Sequence, residues 1–222
     1  MAQSKPRHLA VYRQDAGTGD GRLVAPTFLR NNPPMVAALA PYLAGRVGPA
    51  LEIGAGSGQH ACAFSMAFPG LDWHPSDPDE PHRTSIAAWA TILGATVRPA
   101  LDIDAASDWA SRPEVQSIGP LQLVLSMNVI HISPPTVMHG IIAGAGQRLA
   151  PNGLLIFYGP FKENGKHTGE GNASFDAGLK AENPEWGLRD TVELDALATK
   201  AGLSRLAFIT MPANNRVIIY RR

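Results

Sequence analysis

Cysteine is nearly absent from this sequence: Cys62 is the only one in 222 residues. An internal disulfide is therefore excluded, and a cysteine-built metal cluster is not expected. Net charge is missing as well. Nineteen Lys and Arg balance nineteen Asp and Glu, so no global field draws in a polyanion, and neither nucleic acid nor an anionic membrane is an expected partner. Long apolar runs are lacking too. None approaches the roughly 20 residues of a membrane span, and MAQSKPRHLAVYRQDAGTGDGR has no apolar core of the signal-peptide kind. A cytoplasmic location is the resulting expectation. No metal site is expected either, because His131 and His139 are spaced beyond the single helical turn that pairs two ligands, and the acids are scattered.

What the sequence does have is the composition of a soluble globular protein, 45% hydrophobic and 17% charged, and a length that fits one domain. Residues 1–24 are polar and Gly-rich and read as a flexible arm. Residues 25–222 read as a single domain. Met35, Val36, Leu39 and Leu43 recur at helical spacing, with Pro33 and Pro34 suiting the helix's first turn. Then apolar runs at Val47–Ile53, Leu71–His74, Ala95–Ala100, Leu121–Ser126 and Leu154–Tyr158 alternate with helical patterns at Gln59–Phe68, Pro81–Leu93, Ala105–Gln116 and Pro135–Leu149. That rhythm specifies βαβ units and a mostly parallel sheet with helices on both faces.

The end of the chain departs from it. After a helix at Thr191–Ala201, Leu203–Met211 and Arg216–Tyr220 lie so close together that they predict an antiparallel hairpin. Five parallel strands and a hairpin make a seven-stranded, Rossmann-like α/β sheet of the methyltransferase kind. Residues 159–186 are too long for a plain connection and read as an insertion or lid.

The sharpest motif is LEIGAGSGQH, directly after the first strand. Gly54, Ala55, Gly56 and Gly58 let the backbone turn tightly and approach a ligand, and the next helix presents free N–H groups. A dinucleotide fingerprint would read G-x-G-x-x-G. Here the spacing is G-x-G-x-G, and Glu52 precedes it. A carboxylate there repels a pyrophosphate but suits the ammonium of a methionine moiety, so the expected cofactor is S-adenosylmethionine, leaving S-adenosylhomocysteine.

Three further loops follow strands. In LDWHPSDPDE, Asp77 is placed to accept from ribose hydroxyls, with Asp79 as rival and a plain Asx-turn as the alternative. In PALDID, Asp102 suits the adenine amino group and Leu101 and Ile103 its ring, while Asp104 suits a helix N-cap. In LSMNVIHIS, Ser126, Met127 and Asn128 fall beside the methionine portion, and His131 faces an open pocket or plays a structural part.

LEIGAGSGQHACAF, WHPSD, NVIHIS-P, YGPFK and MPANN resemble the methyltransferase-like 26 family, a domain-of-unknown-function group of class I methyltransferases. The resemblance runs from about Arg30 to the C-terminus. It implies the seven-stranded fold and S-adenosylmethionine binding, and it implies that Arg30, Asn31, Gln59 and His60 help close the cofactor pocket. It names no acceptor.

The expected activity is in-line methyl transfer to a small thiol, hydroxyl or amine, driven by positioning and exclusion of water. His131, then Tyr158 and His167, are candidate bases. Phe161, Lys162, Asn172, Phe175 and Trp186 are candidate acceptor-pocket residues. A nicotinamide-dependent oxidoreductase and a non-catalytic cofactor-binding domain are the alternatives.

Overall fold

The computed structural model describes residues 16–222. The first fifteen residues of the expected arm lie outside the described residues. The next ones form a ribbon, β1 (Ala16–Gly17) against β2 (Leu23–Val24). It is tied down where a flexible arm was expected: Ser85 Oγ accepts the Leu23 N–H at 2.8 Å, and Trp89 Nε1 donates to Leu23 O at 2.7 Å. Composition alone could not reveal those anchors, because they lie more than sixty residues away.

Helix α1 (Phe28–Leu43) follows and begins earlier than its apolar periodicity suggests. Pro33, Pro34 and Pro41 sit inside it, so the first two prolines are not in the first turn. They leave the carbonyls of Leu29 and Arg30 without helical donors, at two residues that are exposed to water.

The central elements are β3 (Gly48–Ile53), α2 (Gln59–Ala67), β4 (Leu71–Ser76), α3 (Glu80–Leu93), the one-turn α4 (Pro113–Gln116), β5 (Leu121–Met127), α5 (Pro135–Arg148) and β6 (Leu149–Pro160). A ribbon of β7 (Lys162–Glu163) and β8 (Lys166–His167), then α6 (Glu170–Glu182), fill the insertion. The chain closes with α7 (Thr191–Lys200), β9 (Ser204–Thr210) and β10 (Asn215–Arg221). The sheet order is β4-β3-β5-β6-β10-β9, parallel up to β6 and antiparallel beyond it. The expected terminal hairpin is present, with β10 inserted between β6 and β9.

The sheet has six strands, not seven. Residues 95–101 run beside β4 but pair with it only through the isolated bridges Trp73↔Val97 and Ser76↔Leu101, with Arg98 Nε donating to Asp72 Oδ1 at 2.7 Å. A proline contributes to the break: Pro75 has no N–H to give its neighbour, and the register slips by one residue between the two bridges. The helix expected over Ala105–Gln116 is also interrupted. Asp104 Oδ1 accepts the Ala106 N–H at 2.9 Å in an Asx-turn, a 3₁₀ turn follows at Trp109–Ser111, and Pro113 starts α4.

Strand alternation sends side chains to two cores. Leu51, Ile53, Leu155, Phe157, Ile218 and Tyr220 pack against α5, α7 and Trp109. Ala50, Leu125, Ile156, Val217 and Ile219 pack on the other face against α1 and α2. The chain leaves β3 for β4 on one side and returns to β5 on the other. That reversal opens a crevice at the carboxyl ends of β3 and β5, where open α/β sheets bind ligands.

Candidate functional site

The glycine loop sits at that crevice and is stitched to the end of β4. Gly54 and Ala55 both donate to Ser76 O at 2.9 Å, Gly56 N–H donates to Asp77 Oδ2 at 2.9 Å, and Ser76 Oγ donates to Glu52 O at 2.7 Å. Two of the glycines are fixed by packing. A Cβ on Gly54 would lie 2.4 Å from Val129 Cγ2, and one on Gly58 would lie 2.6 Å from Ile86 Cα. Gly56 differs: its φ is +56°, and a Cβ there would meet nothing within 4 Å. That side of the loop is open space.

Glu52 is 2% exposed and accepts one hydrogen bond, from Trp73 Nε1 at 2.8 Å. Burial, and then the negative charge of Asp77, push its carboxyl up to about 7 despite that bond. Asp77, also buried, is already well used: Oδ2 takes Gly56, and Oδ1 takes Asp79 N at 3.0 Å and His82 Nδ1 at 3.1 Å. A carboxylate has about four acceptor positions, so about one is left for a hydroxyl. Asp79 is half-buried at the start of α3.

Of the pair expected at the adenine, Asp102 is exposed, with Oδ1 3.5 Å from Arg83 Nη1. Ile103 is not on the rim. It is 1% exposed and packs in the α5 core, because the 3₁₀ turn with Trp109 folds beneath it. Leu101 remains partly buried beside Asp102.

Where α1 meets α2, Arg30 is exposed and its Nε donates to Asn31 Oδ1 at 3.3 Å, with Asn31 itself buried. Gln59 Oε1 accepts the Ala25 N–H at 2.7 Å, fastening α2 to the chain entering α1. His60 stacks between Phe28 and Phe64, at 5.0 and 5.4 Å between ring centroids. Burial lowers its pKa to about 4. Its Nδ1, and Asn32 Oδ1 from α1, are buried without a hydrogen-bond partner among the described residues.

The ends of β5 and β6 form the other half of the rim. Ser126 Oγ donates to Ile53 O, and Met127 is buried against the α1 face. Asn128 adopts a left-handed backbone, φ +57°, while donating its N–H to Tyr158 O at 2.8 Å. That conformation is costly for a residue with a side chain and is concentrated at functional sites. Tyr158 is 3% exposed, and its Oη accepts from Asn215 Nδ2 at 3.0 Å. His131 is 1% exposed, and its Nε2 has no hydrogen-bond partner among the described residues. Burial, then the charge of Arg189, drive its pKa down to about 3, so the imidazole is neutral. Phe175 of α6 lies edge-on to it, 5.7 Å between centroids at 70°.

The insertion divides the remaining expected pocket residues. His167 is a clamp beside α6: its Nε2 lies 2.9 Å from Asp176 Oδ2, which also takes Lys180 Nζ, while Oδ1 takes Leu188 N–H, both at 2.7 Å. Burial raises the Asp176 carboxyl, but these donors outweigh it and hold the pKa at about 2. Phe161 is 1% exposed in the α5–α7 core and is not a pocket residue, since β6 alternation turns it inward. Asn172 bonds Thr168 Oγ1 at 2.8 Å and Asn214 O at 3.2 Å, latching α6 to the turn before β10. Lys162 and Trp186 line a separate cavity of about 300 Å³ with Lys180, Glu185 and Arg189. Of the five expected pocket residues, only Phe175 stands against His131.

Residues 22–222 match the model of a family described as "Protein of unknown function (DUF938)". The chain belongs to the DUF938 family. This DUF938 chain is also similar to solved structures: an O-methyltransferase family protein from Burkholderia thailandensis (TM-score 0.73, 16% identity, 88% of this chain and 57% of that one), PigF with SAH (0.69, 17%, 85% and 55%), and a putative sarcosine dimethylglycine methyltransferase from Galdieria sulphuraria (0.67, 14%, 87% and 85%). The chain thus spans a little over half the length of the first two. At these identities the likeness shows the fold, which is the α/β Rossmann-like fold of methyltransferases.

Sequence reasoning did not single out several DUF938 residues that build the site. Trp73 is one; its two-residue spacing from Leu71 marks it as inward-facing, and an inward Trp N–H needs an acceptor such as Glu52. Asp176 is another, signalled by Lys180 one helical turn later. Asn215 carries no local signal, because its partner Tyr158 lies 57 residues away.

Proposed function

We propose that this DUF938 chain is an S-adenosylmethionine-dependent methyltransferase acting on a small molecule. The observation that carries the reading is the open space at Gly56, set at the switch point between the buried carboxyl of Glu52 and an Asp77 with spare acceptor capacity. These residues fit the cofactor. Glu52 would hold its ammonium, Asp77 a ribose hydroxyl, Asp102 and Leu101 the adenine, and Met127 and Asn128 the methionine chain. When bound, S-adenosylmethionine supplies a methyl group made electrophilic by its sulfonium.

The protein's share is to position and to exclude water. Neutral His131, edge-on to Phe175, would offer a hydrogen bond at the acceptor end, while Tyr158 packs in the α1–α2 core with its hydroxyl held by Asn215. The resemblance of NVIHIS-P, YGPFK and MPANN to the methyltransferase-like 26 family supports the same reading. The test is calorimetry with S-adenosylhomocysteine and with NAD. Binding of S-adenosylhomocysteine is expected. Tight binding of NAD alone would favour an oxidoreductase instead.

A further inference from the structure

Between β5 and α5 the chain passes through a short segment in which Ile130, His131, Ile132 and Ser133 are all buried. Three of their carbonyls are met from the end of the insertion. Arg189 Nε donates to Ile130 O at 2.9 Å, Gly187 N–H to His131 O at 2.9 Å, and Arg189 Nη2 to Ser133 O at 2.6 Å. Buried carbonyls left bare would be costly, and a fork of donors stands opposite them. The hydrogen bonds of the Arg189 guanidinium to described residues all end on main-chain carbonyls, the third being Glu185 O at 2.9 Å. Arg189 is anchored in turn: its own carbonyl accepts the Lys162 N–H at 2.9 Å, and Leu188 beside it donates to Asp176.

These bonds determine the backbone at His131. The peptide unit before it is held through Ile130 O. The unit after it is held through His131 O and through the Ile132 N–H, which donates to Val129 O at 3.1 Å. With both planar units fixed, φ and ψ of His131 follow, and so does the direction of its side chain. The ring is then bounded on β6 by Gly159, where a Cβ would lie 3.3 Å from His131 Cε1, and on α6 by Phe175. Neither neighbour carries a charge. Burial, and then the charge of Arg189, keep the imidazole neutral.

We propose that Arg189 is a positioning residue for methyl transfer: its guanidinium fork sets the 130–133 backbone and so aims the His131 side chain at the acceptor end of the crevice. The inference rests on the methyltransferase reading and assigns that reaction a residue outside the cofactor loops. A fixed, neutral imidazole suits a site that receives a sulfonium, which an imidazolium would repel. The fork and its charge can be separated by substitution. A lysine keeps the charge, but its ammonium is a single point on a flexible stem and does not span Ile130 O and Ser133 O as a planar fork does.

The experiment uses the full chain with its histidines carbon-labelled for NMR, the His131 signal being assigned by its loss in H131Q. The probes are S-adenosylmethionine and S-adenosylhomocysteine at saturation, which differ by one methyl group and one positive charge. In the parent, the His131 resonance should differ between the two complexes, because the ring stands where that methyl lies. In both R189K and R189M the difference should shrink by about half or more, and amide exchange at Ile132 and Gly187 should quicken about tenfold. Exchange in β3, β5 and β6 should stay as in the parent. R189K matching the parent in both readouts would overturn the proposal. So would uniform loosening of the whole chain, which marks a general part in stability, or a His131 signal identical in the two parent complexes. A parent that binds neither ligand would overturn the methyltransferase reading beneath it, while the exchange data would still report on the clamp.

Discussion

Asp77 Oδ2 accepts the N–H of Gly56 across 2.9 Å, so the carboxylate at the end of β4 shapes the loop at the end of β3. It does so while also anchoring Asp79 and His82 at the start of α3. Asp77→Ala strips three donors of one acceptor, and lost bonds to a buried charge cost about 1.5–3 kcal/mol each at the outset. A fall in unfolding free energy of a few kcal/mol is expected in denaturant titration. Affinity for S-adenosylhomocysteine should fall more than tenfold. Unchanged affinity would reject the cofactor role of Asp77.

The glycine loop separates folding from binding. Gly58→Ala drives a Cβ to 2.6 Å from the Ile86 backbone at φ +86°, and should lower the melting temperature markedly. Gly56→Ala has open space and a φ that non-glycine residues adopt at a cost of about 1 kcal/mol. Its melting temperature should stay near the parent's while S-adenosylhomocysteine affinity drops. A Gly56→Ala variant that binds normally would show that the open space is not used.

Glu52 gives the site a pH dependence whose sign is fixed by its raised pKa of about 7. Between its ordinary value of 4.5 and about 7 the folded protein holds a proton that the unfolded chain releases, so Glu52 makes stability fall as pH rises through that window. Ligand binding runs the other way. A ligand ammonium needs the ionised carboxylate, so affinity for S-adenosylhomocysteine should rise roughly eightfold from pH 6 to 7.5 for a pKa of 7. Glu52→Gln should flatten that profile in calorimetry. A flat profile in the parent protein would reject the ammonium role.

Asp176 is the fastening of α6. Its depressed pKa contributes stability that is present above the ordinary carboxylate range and is lost as pH falls through about 2. Asp176→Ala should speed amide exchange across 170–188 by tenfold or more, because the Leu188 N–H, the Lys180 ammonium and the His167 ring lose their partner. Exchange in β3, β5 and β6 should be unaffected. Uniform loosening of the whole chain would mean that the insertion has no independent fastening.

The sequence by itself determined the βαβ rhythm, the terminal hairpin and the glycine loop at the end of the first strand. Those features are written in short-range codes: residue alternation along a strand, helical spacing, and glycines at positions that demand positive φ. The tertiary structure decided where side chains of the insertion and connecting loops went. Phe161 and Ile103 entered the core, and His167 became a clamp on Asp176. Tyr158 met Asn215, while Pro75 and a register slip left the seventh strand with two bridges. Each of those outcomes depends on a partner that only packing brings near. For the same reason the reading of His131 changed: its place after the fourth apolar run was legible in the sequence, but its neutrality comes from the burial that Gly159, Phe175 and the insertion impose on it.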